Sequence, residues 1–522
     1  MRLMNARTFR PTGAAVRGDE YLRDVTRDVN RLLQSVQRDF RYDALRLNHE
    51  DLLWLGAILA EFAEDLRHGI GIWCAYEECN RRWFKTPLPM TGTSTDAEPN
   101  AISADRVTHL LWVLYTELHP DLTLGPTHKD LSHMAAVVAE FLTSRMASAP
   151  RTSGIKAFLD TPNEYGWDIK RKLVWLGTSS YFFRTACRNY GADQEPDGDE
   201  EGIAWTDDFV CQECTQWSGL GVPDVLADML PLSEEQRAVL RSWHERHAAC
   251  YRVDSVEGTL LKATNLVNGE PYAVMMGDGP QPFATGAVIF GSLVPWGKCW
   301  YWSGMQRTYT MADSSGFPEI RRSFVAKSPR IAYRYCQDLL AKAVAANERH
   351  YRNFLSYHLG KDLVVYPDGL SMAADEQQRY RLMYEAEPRP TVERVMAERG
   401  LKNPWPEMKY PDRILKSGDG IGLYYDRQEG VEMMLGFNDV LSGLAKKGCD
   451  LTDSESEAIK EFVRSRSISP AFVRRMVQEY GEISIRAAFL LRDCGAEYAV
   501  EYLLRRHKGA AFRKIYPNVS LV

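Results

Sequence analysis

The sequence predicts a mainly helical, multidomain α+β protein with a small antiparallel β-barrel-like module in the middle of the chain. Three observations lead there. Apolar residues recur at helical spacing up to about Tyr190; strand-like runs separated by turn residues follow between Tyr251 and Gly304; helical patterning returns after Ser328-Pro329. A chain of 522 residues has room for about three domains. The divisions expected are a helical domain over 1–230, a capped helix with the β module over 231–312, and a mainly helical domain with a basic end over 313–522.

The first helical stripe is Leu52, Leu55, Leu59, Phe62 and Leu66, with Gly69 as its stop. Val107, Leu110, Leu111, Leu114 and Leu118 form a second, closed by Pro120. Leu131, Met134, Val138, Phe141 and Leu142 form a third, and Ile169, Leu173, Leu176 and Tyr181 a fourth. A Pro/Gly/Ser/Thr-rich loop over Thr86–Asn100 and an acidic break over Ala192–Gly202 interrupt them. Ser233 and Gln236 form a capping box that starts a helix through HERHAAC.

From Tyr251, five short β-type runs follow within about 55 residues, and Asn268-Gly269 between two of them is a hairpin signal. Closing such a small sheet removes its edges. Ser328-Pro329 then opens a long helix that ends at Gly360. Leu363–Leu370 reads as strand and turn, Gly418–Asp426 as a Gly-rich turn and strand, and the rest as helical, with Ser469-Pro470 a second cap signal and Gly481 a stop.

Hydrophobic residues at 45% and charged residues at 26% belong to an ordinary globular chain and exclude a disordered one. The first residues hold no signal-type apolar run, and LLWLGAILAEF is too short to cross a bilayer. A cytoplasmic protein with reduced cysteines and no membrane partner is expected. Net charge is −6, but Arg464–Lys514 carries +6 of its own, the pattern of an anion-binding face or of a solvated helical surface.

Cys211-x-x-Cys214 has the spacing of a metal knuckle. Structural zinc takes four thiolate or imidazole ligands, and His244, His247 and Cys250, read as helix, lie on roughly one face as a second half. Val239, Trp243, His247 and Cys250 equally fit an apolar stripe of that helix, so packed thiols without metal are expected and zinc is the alternative. His109, His119, His128, Asp130 and His133 offer a second metal set, against which Asp130 as a helix-end charge is the plainer explanation. The acidic residues Asp193 to Asp199 imitate the start of a calcium loop but lack its closing Glu. Gly418, Gly420 and Gly422 precede a strand, unlike a phosphate cradle. Asp368 with Glu407 and Lys409 resembles a magnesium nuclease set without its supporting strand.

Basic residues alternate with aromatics in EYLLRRHKGAAFRKIYP, which makes Arg505, Arg506, Lys508, Arg513 and Lys514 candidates for gripping a nucleic-acid strand. Three function classes follow. The first is a non-catalytic binding or scaffolding protein, a subunit of a larger assembly. The second is nucleic-acid binding through the basic end. The third is a metal-dependent hydrolase or nuclease.

Overall fold

The computed structural model of the chain describes residues 9–11, 21–91, 98, 100–119, 122–150, 153–194, 199–277, 283–309, 316–319, 336–400, 402–405, 408–491 and 498–513. Its contacts group the chain into two units. The first is Met1–Phe324 with Phe489–Arg513, and the second is Val325–Ala488 with Lys514–Val522. The first unit takes in both the 1–230 and the 231–312 stretches expected as separate parts, together with the helix Ala499–Lys508.

The expected helices of the first unit form where their caps and stripes put them. Asn48 Oδ1 accepts from the amides of Glu50 and Asp51 at 2.9 and 3.0 Å, Gly69 ends the helix His49–His68 at φ +58°, and the five stripe residues between them are buried. The next helix, Ile72–Phe84, begins at Gly71 without a cap of its own. Asp65, in the last turn of the preceding helix, supplies one instead. Its carboxylate accepts from the amides of Gly71, Ile72 and Trp73 at 2.8, 3.1 and 2.8 Å and from the Tyr181 hydroxyl at 2.9 Å. Helices Ala104–Leu118, Lys129–Met146 and Gly166–Ser179 bury most of their stripes in the same way, although Leu118 and Phe141 are only half-buried.

One expected helix is shorter than its pattern. Ser233 Oγ and Gln236 form the capping box, but the α-helix ends at Arg241 and tightens into a 3₁₀ turn over Ser242–Glu245. His247 already lies in a strand, because His247 to Arg252 pair with Leu293 to Val288. Sheet pairing overrides the local helical pattern, so His244, His247 and Cys250 do not share a helix face.

Five strands follow: β1 (His247–Glu257), β2 (Leu260–Asn265), β3 (Pro271–Met275), β4 (Val288–Trp296) and β5 (Cys299–Tyr309). Their order is β1-β2-β3-β5-β4, and β4 pairs back onto β1. The sheet is mixed, which corrects the all-antiparallel expectation: β3 meets β5 in parallel through Val274 and Trp300. The β2–β3 connection runs over residues 266–270, longer than a two-residue hairpin. Gly269 takes φ +80° there, and Asn268 Oδ1 accepts the Glu270 amide at 3.1 Å.

The second unit holds an antiparallel sheet in the order β6-β7-β8, with β6 at Leu363–Tyr366, β7 at Ile421–Asp426 and β8 at Gly430–Leu435. Sequence reading takes the chain after Asp426 as helical, and β8 corrects that. Its register opposite β7 puts Met434 and Glu432 among the buried residues. Phe354, Met372, Ile421 and Leu423 form the core around this sheet. Ser469 Oγ caps the helix Pro470–Tyr480 by accepting the Phe472 amide at 3.1 Å. The Ser328-Pro329 cap signal lies outside the described residues, where the long helix is seen over Gln337–Tyr357.

Candidate functional site

The candidate zinc ligands do not assemble. Cys211, at the end of the helix Asp199–Gln212, is fully buried, and burial pushes its thiol up to about 11. Cys214 packs its β-carbon against Gly509. His244 sets its two ring nitrogens 2.7 and 2.8 Å from the carbonyl oxygens of Arg241 and Arg513. His247 Nδ1 lies 2.6 Å from the Tyr272 hydroxyl, and Cys250 is a buried strand residue whose thiol burial raises to about 11. Among the described residues no group of three or more His, Cys, Asp or Glu side chains is placed to hold a metal ion. Among the described residues no two cysteines are joined in a disulfide.

The histidine-rich set is equally dispersed. His109 is buried against the Tyr76 hydroxyl at 2.5 Å, and burial lowers it to about 3. His128, rather than Asp130, caps the helix Lys129–Met146 by accepting the Asp130 amide at 3.3 Å, while Asp130 accepts from the Arg41 amide at 3.2 Å. His133 is exposed. Asp368 caps the helix Gly369–Glu385 through the Ser371 amide at 2.7 Å. Glu407 and residues 195–198 of the acidic loop lie outside the described residues.

Sequence reading missed a charged cluster around Cys211. Lys170 reaches Asp207, Cys211 Sγ at 3.3 Å and Ser303 Oγ at 2.8 Å. Arg246 pairs with both Asp207 and Asp208. Burial alone would raise the Asp207 carboxyl, but Lys170 and Arg246 hold it below its ordinary value. Gly304, at φ +71°, leaves room for this carboxylate: a β-carbon there would lie 2.7 Å from Asp207 Oδ2. The cluster resembles a nucleophile with a lysine base, yet Ser303 and Cys211 are both buried and already bonded. It ties helices Gly166–Ser179 and Asp199–Gln212 to β5.

The basic end splits between the units: Arg464 to Arg486 belong to the second and Arg505 to Arg513 to the first. In the first unit Arg506 is 6% exposed and Lys508 4%. Arg506 donates to Thr116 and, at 2.7 Å, to Gln216, with its guanidinium over the Trp112 ring. Arg505 is sandwiched over Trp83 and Phe512, with 3.9 and 4.4 Å to the ring centres. Arg513 pairs with Asp224. Lys514 lies outside the described residues. Tyr502, Leu503 and Leu504 are buried on the same helix, so its cationic side chains serve docking of the helix onto the first unit.

A cavity of about 760 Å³ opens in the first unit. Phe9, Trp54 and Trp205 supply aromatic surface, and Arg184 and Arg188 supply charge. These arginines are one turn apart on the helix Arg184–Gln194 and so fall on one face. Trp54 Nε1 donates to Thr185 Oγ1 at 3.0 Å, joining the starts of the helices His49–His68 and Arg184–Gln194. The cavity draws residues from positions 9 to 206, with no local motif to mark it. The one available signal was a buried-looking arginine straight after the aromatic run Tyr181-Phe182-Phe183.

No helix among the described residues is long and apolar enough to cross a membrane. No curated protein and no solved structure matches the chain. Over residues 19–203, a stretch that holds most of the cavity wall, the chain is similar to a family described as "Protein of unknown function (DUF3843)".

Proposed function

We propose that the chain is a non-catalytic binding protein, a subunit of a larger assembly, whose first unit takes a small molecule into the cavity between Trp54, Trp205 and Arg184. The cavity carries this reading. Its volume falls in the range of ordinary ligand sites, and its walls combine aromatic surface with a few polar groups. The Lys170 cluster supports it from the other side, since its hydroxyl and thiol are sealed and committed to internal partners. In the same reading the ring of strands β1 to β5 is a small barrel that braces the helices rather than a binding face. The nucleic-acid alternative draws little support from Arg506 and Lys508, which are buried in the first unit.

Saturation-transfer NMR on the intact chain with a set of single-ring aromatic fragments tests the reading. A subset should bind the wild type. Leu53→Trp, which fills the cavity from its wall, should abolish binding of that subset. A wild type that binds none, or a variant that keeps them all, would sink the proposal.

A further inference from the structure

We infer that the cavity is built for one anionic group, a carboxylate or a phosphate monoester, carried on a flat apolar body, with Arg184 as its principal contact. The inference rests on the binding reading above and specifies its ligand. Arg184 has only 2% of its side chain exposed. Its Nη1 donates to Glu61 at 2.5 Å, and its Cζ lies 4.2 Å from the centre of the Phe9 ring. Its Nε and Nη2 have no hydrogen-bond partner. These two nitrogens form the side-on fork of the guanidinium, the pair of parallel N–H donors that matches two oxygens of a carboxylate or phosphate. A buried cation with an empty fork is unfavourable as it stands, and an anion bound there would satisfy it.

The surroundings agree with that assignment. Phe9 covers the face of the guanidinium, whereas an anion approaches the fork in its plane, so both contacts can coexist. Neither nitrogen touches solvent, so docking requires the covering side chains to yield, and a bound anion is then shielded from water. Arg188, exposed at the cavity wall, adds a second positive charge. Thr185 Oγ1 accepts from Trp54, which leaves its hydroxyl proton for an oxygen in the cavity. Trp54 and Trp205 offer surface to a flat body. Glu50 and Asp51 at the wall, one exposed and one half-buried, disfavour ligands that carry a second anionic group beside them.

The test uses the intact chain labelled with 5-fluorotryptophan, with the Trp54 and Trp205 signals assigned through Trp54→Phe and Trp205→Phe. The probes are phenyl phosphate, benzoate, inorganic phosphate and benzyl alcohol. At least one aromatic anion should shift both signals saturably and bind about tenfold tighter than benzyl alcohol, a difference one charge-assisted fork can supply. The stronger of phenyl phosphate and benzoate identifies the anionic group, and inorganic phosphate should bind more weakly than either. Arg184→Met should remove the anion preference and leave benzyl alcohol unchanged. If that variant fails to fold, Arg184→Lys, which keeps the charge without the fork, and Thr185→Val should each weaken the anion selectively. Anion binding that survives these substitutions in folded protein overturns the assignment. Benzyl alcohol binding as tightly as the anions overturns the anion site but leaves the binding reading standing. Silence of both tryptophans to all four probes overturns the two together.

Discussion

Glu432→Gln should stabilise the second unit at pH 8 and leave it unchanged at pH 4.5. Glu432 sits on β8 and is 5% exposed. Its Oε2 accepts the Ser469 amide at 2.6 Å, at the start of the helix Pro470–Tyr480, and its Oε1 has no partner. Burial, only partly opposed by the Ser469 hydrogen bonds, raises its carboxyl from 4.5 to about 7. The folded state therefore holds the proton more tightly than the unfolded state. Stability is fully present below the unfolded value and is lost as pH rises through the folded one. A shift of that size corresponds to roughly 3 kcal/mol by pH 8 at about 1.4 kcal/mol for each unit. Gln keeps an acceptor for Ser469 without the charge, so the variant should gain about 2–3 kcal/mol at pH 8. Hydrogen exchange of the Pro470–Tyr480 amides in the intact chain, corrected for the intrinsic pH dependence of exchange, reads the opening free energy of this element. A wild-type opening energy that stays flat from pH 5 to pH 8, parallel to that of Glu432→Gln, would refute the reasoning.

Three further outcomes are expected. Arg106→Met strips the buried Glu77 of its bidentate partner, whose Nε and Nη2 donate at 2.7 and 2.9 Å. It should cost the first unit about 3–5 kcal/mol, part of it recovered by Glu77→Met in the same chain, as measured by urea denaturation. With Ellman's reagent at pH 8, exposed Cys449 should react fast. Cys79, Cys211 and Cys250, raised by burial to about 12, 11 and 11, should react only on unfolding, and early labelling of Cys211 would contradict its sealed setting. Gly219→Ala combines a strained φ of +69° with a β-carbon driven into the Arg505 carbonyl. It should loosen the helix Ala499–Lys508, seen as new proteolytic cleavage there.

Local chemistry explains what was legible. Ser233 and Ser469 announce helix starts and Gly69 a stop, because each satisfies or ends backbone bonding within a few residues. The strands from Tyr251 were readable from composition and the Asn268-Gly269 turn. Their closure and the parallel β3–β5 contact depend on which strands meet, and no window of sequence carries that. Strand β8 was missed because VEMML is Met-rich and lacks a turn signal of the Asn-Gly kind before it. His247 and Cys250 read as helix because a three-residue spacing fits two structures until pairing with β4 decides. The basic end looked like a surface on charge alone, but charge does not report direction: Arg506 turns inward to Thr116 and Trp112. Arg184 showed only as an arginine after the aromatic run Tyr181-Phe182-Phe183, since its unfilled fork and the aromatic walls come from segments distant in sequence.

The return of residues 489–513 to the first unit has a consequence for how the molecule is made. Tyr502 packs its ring 5.6 Å from Phe84 and 5.7 Å from Trp112, filling a space lined by residues synthesised some four hundred positions earlier. The described residues of the second unit, by contrast, all fall in one span of the sequence, 336–488, with no part of the first unit between them. On the ribosome, the part of the protein that emerges first is thus the part that finishes last. Until its final helix arrives, the first unit leaves an apolar slot open. Growing chains expose that slot to premature association while the Val325–Ala488 part of the second unit is being made.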